Sequence, residues 1–470
     1  MAGLRSHWSD ALNMFAKSLM TALLAGTALT ALNAFADTTT PRPTLPLWNA
    51  AQLAAACDTG LTKLAQQVAA LEQVPIEKAD VHSVYDAWNR LQITQEDVES
   101  PVYLLNSVSP DAEVRSAAAA CLIKYNQFST GLFQNEALYR RIVAVQPADA
   151  IDAKLKKDLI EGFEDTGVSL PAEKRARMKD ILARLELIRQ EFERDIRDNK
   201  TRLSFTPAET QGLPASYLAV AQRDAQGNYL LGFAYPEYVP FMENAVDAAA
   251  RQRYQFAFTN RGGARNIELL NEVAALRHEM AALFGLPSYA HYVARRRMVG
   301  KPEVVHKFLG EVMQTVREIE QRDLEDLRSV KAKDLGQPLA EVKLNRWDVA
   351  YYQERVKQQR YAIDQEALRR YFPTEAAVAW IMEVSSRLYG IEFHAVDIAR
   401  WHADVRYYDV IDTQSGARLG GAYLDLYPRD GKFSHAAAFG VRGASTLNQR
   451  TPISVLVTNF IRSGLSFDEL

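Results

Sequence analysis

Apolar positions along this chain recur mostly at three- and four-residue spacing, the period of helices that bury one face. Residues 47–71 form one such run, rich in Ala and Leu, and residues 112–145 form another. The segment from Pro171 to Lys200 starts after Ser169 and carries apolar residues at Met178, Ile181, Leu182, Leu185, Leu187 and Ile188. Arg, Lys and Glu fill much of the rest, which predicts a solvated helix face. The helical period breaks once before residue 240. Tyr217 to Val220 and Tyr229 to Phe233 flank Asp224-Ala225-Gln226-Gly227-Asn228, a hairpin pattern with Gly227 available for positive φ, and helices are predicted to resume near Pro240.

Near the C-terminus the period shortens to two. Tyr423, Asp425 and Tyr427 alternate with Ala422, Leu424 and Leu426, predicting a strand with one buried face. Pro428-Arg429-Asp430-Gly431-Lys432 predicts a turn into a second strand through His435, so the pair reads as a hairpin. Ile453, Val455, Leu456 and Val457 predict a further buried strand. After it, Ser466 with Asp468 and Glu469 reads as a helix start. The fold class is therefore mainly α with a small β hairpin or sheet near the C-terminus. No internal repeat or long linker divides it, and a boundary near Val246 separates an N-terminal helical region, 47–245, from residues 246–470.

Composition excludes several classes. With 470 residues, 48% hydrophobic and 24% charged, the chain suits a globular protein and not a disordered one. A net charge of −3 and a pI near 6.3 give no electrostatic footprint for nucleic acid. At the N-terminus, Arg5 and Lys17 precede an uncharged stretch, Ser18 to Ala31, too short to span a bilayer, and Ala34-Phe35-Ala36 precedes Asp37. Residues 1–36 thus read as a secretory signal and 37–46 as a Thr/Pro-rich tether. A periplasmic location is expected, with no membrane anchor after cleavage. The two cysteines, Cys57 and Cys121, have no C-x-x-C spacing; they are two buried thiols or one disulfide.

Chemistry concentrates in ordered motifs after residue 260. Arg261-Gly262-Gly263 leads through Asn266, Leu269 and Leu270 to Leu276-Arg277-His278-Glu279-Met280-Ala281, then Leu283-Phe284-Gly285 and Arg297-Met298. Trp347-Asp348, Tyr351-Tyr352, Tyr371-Phe372-Pro373, Trp401-His402-Ala403-Asp404-Val405 and the stretch from Gly420 through Lys432 to His435-Ala436-Ala437 follow. In order and spacing these resemble the zinc oligopeptidase family of thimet oligopeptidase, oligopeptidase A and peptidyl-dipeptidase Dcp, over roughly Leu203 to Leu470.

The resemblance implies a helical, channel-containing architecture and hydrolysis of short unfolded peptides by zinc-activated water. It also implies a zinc site made by the two histidines of a helical H-E-x-x-H and a later glutamate, the glutamate inside the motif acting as general base. Residues 1–470 contain no H-E-x-x-H. In the family, the stretch resembling Leu465 to Leu470 runs into the helix that carries it. The expectation is thus an incomplete catalytic domain, lacking catalytic and metal residues and inactive alone. His278-Glu279-Met280-Ala281-Ala282 begins like the motif, but Ala282 stands where the second histidine is needed. His291, His306, His394, His402 and His435 have no paired ligand spacing.

His435, Tyr423 and Tyr427 are the candidates for lining the substrate channel, on a sheet to which a peptide could add as a strand. Asp425, Arg429 and Lys432 read instead as local ion pairs, and Trp347, Asp348, Tyr351 and Tyr352 as packing. Two other functions fit the same residues: a non-catalytic peptide-binding or scaffold protein, and a half-enzyme completed by a separate downstream chain.

Overall fold

The computed structural model describes residues 41–362, 367–368 and 371–460. The signal segment and the helix start at Ser466 fall outside them. Helices dominate, as the periodicity predicts. None of the described helices is long and apolar enough to cross a membrane. The chain divides into two compact units, one of residues up to Glu186 with those from Thr374 to Arg462, the other chiefly Leu187–Pro373.

The first unit begins with α1 (Ala50–Glu72), α2 (Asp86–Val108), α3 (Ala112–Phe133), α4 (Glu136–Ala144) and α5 (Ala150–Asp165); the next helix, α6 (Ala172–Arg197), includes the division after Glu186. Asn49 caps α1 in a capping box with Gln52, each side chain bonding the other's backbone N–H. The apolar run over 112–145 is two helices, because the Asn135 side chain takes the Leu138 N–H and starts α4 anew. Leu53, Leu64, Leu91, Val102, Tyr125 and Phe163 form the heart of this helical core. Cys57 on α1 and Cys121 on α3 are joined as a disulfide within it, resolving the open choice in favour of a bridge.

In the second unit, β1 (Leu203–Phe205), α7 (Ala215–Val220), β2 (Gln222–Arg223) and β3 (Tyr229–Leu231) precede α8 (Tyr235–Asn244). Asp224 to Asn228 do form a turn, with Gly227 at φ 84°. Its first arm, however, is β2 alone: residues 217–220 are helical, their turn anchored by Tyr217 and Leu218 N–H on the Pro214 carbonyl. The helix expected near Pro240 starts at Tyr235 and carries that proline inside. Then come α9 (Ala248–Thr259), α10 (Gly263–Leu283), α11 (Tyr289–Ala294), α12 (Pro302–Leu335) and α13 (Val349–Tyr361). Arg251 and Asp348, both buried, pair at 3.0 Å, and Lys331 reaches the other Asp348 oxygen at 2.6 Å. Tyr351 and Tyr352 are core residues beside them.

The first unit resumes with α14 (Thr374–Tyr389) and five strands: β4 (Ile391–Ala395), β5 (Arg406–Asp412), β6 (Arg418–Asp425), β7 (Ala437–Arg442) and β8 (Ile453–Val457). Their spatial order is β4-β5-β6-β8-β7. The expected β6–β7 hairpin is absent, since β8 lies between them, parallel to β6 and antiparallel to β7. Burial explains the insertion. Ile453, Val455 and Val457 are buried on one face of β8 and Ser454 and Leu456 are half-buried on the other, so β8 takes an interior position, while β7, with exposed Ala438 and Gly440, takes the edge. The sheet is covered on both faces. Leu104 and Val108 of α2 pack with Tyr407, Tyr423, Val441 and Val455; Val378 of α14 packs with Leu424 and Leu426 on the other side. Hence β6 buries two faces where one was expected.

Candidate functional site

A dense polar cluster in the first unit sits where β6 ends. Asp425 is fully buried and takes four donors: Arg429 Nη1 and Nη2 at 2.7 Å each, Lys432 Nζ at 2.8 Å and Trp401 Nε1 at 2.9 Å. Lys432 Nζ also donates to the carbonyls of Asp425, Tyr427 and Thr458, and Arg429 Nη2 to that of Val108. Asp425 with its two cations thus ties the turn 428–432 to the ends of β6, β8 and α2. Burial would raise the Asp425 pKa, but the bonds from Arg429 and Lys432 outweigh it and hold the carboxyl below the usual range. Burial pushes the Lys432 ammonium down from its ordinary value. These are ion pairs, as expected of the turn charges, but core ones.

Beyond the turn, the chain climbs to the exposed edge of the sheet. His435 is exposed just before β7, with Nδ1 3.1 Å from the Ala436 carbonyl, while Asn459 Nδ2 donates to the carbonyls of Phe433 and His435 at 3.1 Å. Tyr427 is half-buried, its hydroxyl 3.4 Å from Glu375 on α14. Tyr423 lies in the core, where its hydroxyl accepts the Leu45 N–H at 3.1 Å and its ring meets Trp401 at 5.2 Å. The three candidates therefore stand in three environments: an edge, a helix contact and the core.

Between α14 and the sheet is a half-open cavity of about 400 Å³, lined mainly by apolar groups that include Val378, Met382, Leu424, Phe439 and Leu456. Glu96 and Arg442 stand in its wall. Glu96 is engaged, accepting the Gly443 N–H at 3.0 Å and pairing with Arg450, which also binds Asp97 at 2.5 Å. Sequence reasoning passed over Arg442 and the cavity. The small residues Ala438 and Gly440 were a signal, but a register shift after Gly440 pairs Arg442 with Ile453, which simple alternation does not reveal. Among the described residues no three His, Cys, Asp or Glu side chains are grouped so as to hold a metal ion. His278 is exposed on α10.

With this geometry in hand, comparison with known proteins is informative. The description "Peptidase family M3" matches residues 241–469. Oligopeptidase A of Salmonella typhimurium is 32% identical over 389 residues, which is 77% of this chain and 56% of that protein. The thimet-like oligopeptidase of Dictyostelium discoideum is 28% identical over 412 residues, 83% of this chain and 61% of that one. A solved structure titled "PZ peptidase A with inhibitor 2" superposes with a TM-score of 0.45 at 13% identity, over 92% of this chain and 62% of the other. The chain spans less than two thirds of the length of these relatives.

Proposed function

This chain belongs to peptidase family M3, a family of zinc metallopeptidases, and from that premise we infer that it serves the hydrolysis of short unfolded peptides. The observation that carries the reading is the family match over 241–469, which includes the whole five-stranded sheet. The sheet supplies a matching physical role. Strand β7 is an edge, so the main-chain groups on its outer side can pair with an extended peptide, which would lie beside His435 at the start of the strand.

The described residues do not fit a zinc ion, having no group of donors able to hold one, and residues 1–470 contain no H-E-x-x-H. The contribution of these residues is to bind and align peptide; by themselves they are not expected to cleave it. Export to the periplasm belongs to the same reading and is supported by the Cys57–Cys121 bridge, since stable disulfides form in oxidising compartments. The test is to titrate the 470-residue protein with quenched fluorescent peptides, with and without added zinc. Saturable binding without cleavage is expected. Chelator-sensitive cleavage would overturn the assignment of a binding role alone, and absence of peptide binding would remove the β7 proposal.

A further inference from the structure

The cavity between α14 and the sheet owes its shape to small residues that the strand register brings side by side. Ala422 pairs with Ser454, Gly440 with Ser454, and Ala438 with Leu456, so one face carries Ala422, Ser454, Ala438 and Gly440 together. Val378 and Met382 of α14 reach Leu424 and Leu456 but leave the space above the small residues open. A Cβ added at Gly440 would meet no atom within 4 Å. Past the register shift that follows Gly440, Arg442 pairs with Ile453 and stands in the cavity wall. Its Nε is buried without a hydrogen-bond partner, and no ion pair engages its guanidinium among the described residues. Both nearby carboxylates, Glu96 and Asp97, are taken up by Arg450, and Glu96 by the Gly443 N–H as well.

We propose that this cavity binds the C-terminal residue of a peptide, its free carboxylate on the Arg442 guanidinium and its apolar side chain over Ala422, Ser454 and Gly440. The inference rests on the peptide reading above for its ligand class. Charge complementarity selects the carboxylate: a guanidinium offers a planar pair of donors, and this one lacks a partner. The lining selects the apolar side chain, and a volume of about 400 Å³ lies within the ~300–1,000 Å³ of small-molecule sites. Proximity to the β7 edge selects a peptide over a fatty acid, because the preceding residues can continue along an edge that a hydrocarbon tail cannot use.

The experiment titrates the full chain with N-acetyl-L-phenylalanine, its amide and octanoate by calorimetry. The acid is expected to bind at least about tenfold more tightly than the amide, as loss of a charge-assisted pair implies. Arg442→Gln should bring the acid to the level of the amide, Arg442→Lys should retain part of the difference, and Gly440→Leu should abolish binding of both. Each variant is checked for an unchanged near-UV spectrum. Equal binding of acid and amide, or an Arg442→Gln variant that binds like the parent, would overturn the proposal; so would tighter binding of octanoate, or no binding of any probe. Failure here with peptide binding intact leaves the proposed function standing.

Discussion

Replacing Asp425 by Asn is the most direct test of how the sheet is held together. The substitution keeps the shape but removes the charge from a group that accepts four hydrogen bonds, and it turns one acceptor into a donor facing other donors. Arg429 and Lys432, with side chains 11% and 1% exposed, then remain buried without a counter-charge. Removing one partner of a buried pair costs about 3–5 kcal/mol. At roughly 2–4 °C per kcal/mol for a domain of this order of size, the unfolding transition of the first unit should fall by roughly 6–20 °C. Thermal unfolding followed by near-UV dichroism reads it. Adding Lys432→Met removes one orphaned cation and should recover part of the loss. The pH dependence follows from the depressed Asp425 pKa: its stabilisation is complete above the unfolded carboxyl value of about 3.9 and is lost as pH falls through the lower folded value. The gap between parent and variant should therefore close below about pH 4. A gap that stays constant in acid, or a neutral-pH loss under about 1 kcal/mol, would refute a paired, ionised Asp425.

The Cys57–Cys121 bridge closes a sequence separation of 64 residues, worth up to about 4 kcal/mol on the chain-entropy view. Alkylation in denaturant without reductant should add no mass; two labels would contradict the bridge. In the second unit, Arg251 donates to the carbonyls of Ala245, Val246 and Trp347 and to Asp348, a fork that an ammonium cannot reproduce. Arg251→Lys should thus destabilise that unit by about 1–3 kcal/mol, seen as faster hydrogen exchange in α9, and a variant that exchanges like the parent would argue against it. Gly421→Ala would drive a Cβ against the Tyr407 hydroxyl and should destabilise by about 1–3 kcal/mol, whereas Gly440→Ala enters open space and should change stability by under about 1 kcal/mol in urea melts.

Local physics was legible in the sequence where one element decides the outcome. The helical periods, the turn at Gly227 and the buried β8 strand all follow from residue spacing and are present. Strand order was not legible, because the short turn 428–432 invites a β6–β7 hairpin and only the burial demand of β8 on both faces overrides it. The same insertion explains why the candidates separate. With β8 seated beside β6, Tyr423 is carried into the core and Asp425 becomes the anchor for both strand ends, while His435 and β7 are displaced to the exposed edge. It also creates what alternation alone could not reveal. Ala422 on β6, Ser454 on β8 and Gly440 on β7 become neighbours only in this order, and their lack of bulk opens the cavity in which Arg442 stands. A core strand inserted between two others therefore sets both the rigidity of the sheet, through Asp425, and its capacity to receive a ligand, through the small residues it aligns. Changes that loosen the first should blur the second: Asp425→Asn should weaken N-acetyl-L-phenylalanine binding at temperatures below its unfolding transition, without touching any group in the cavity wall.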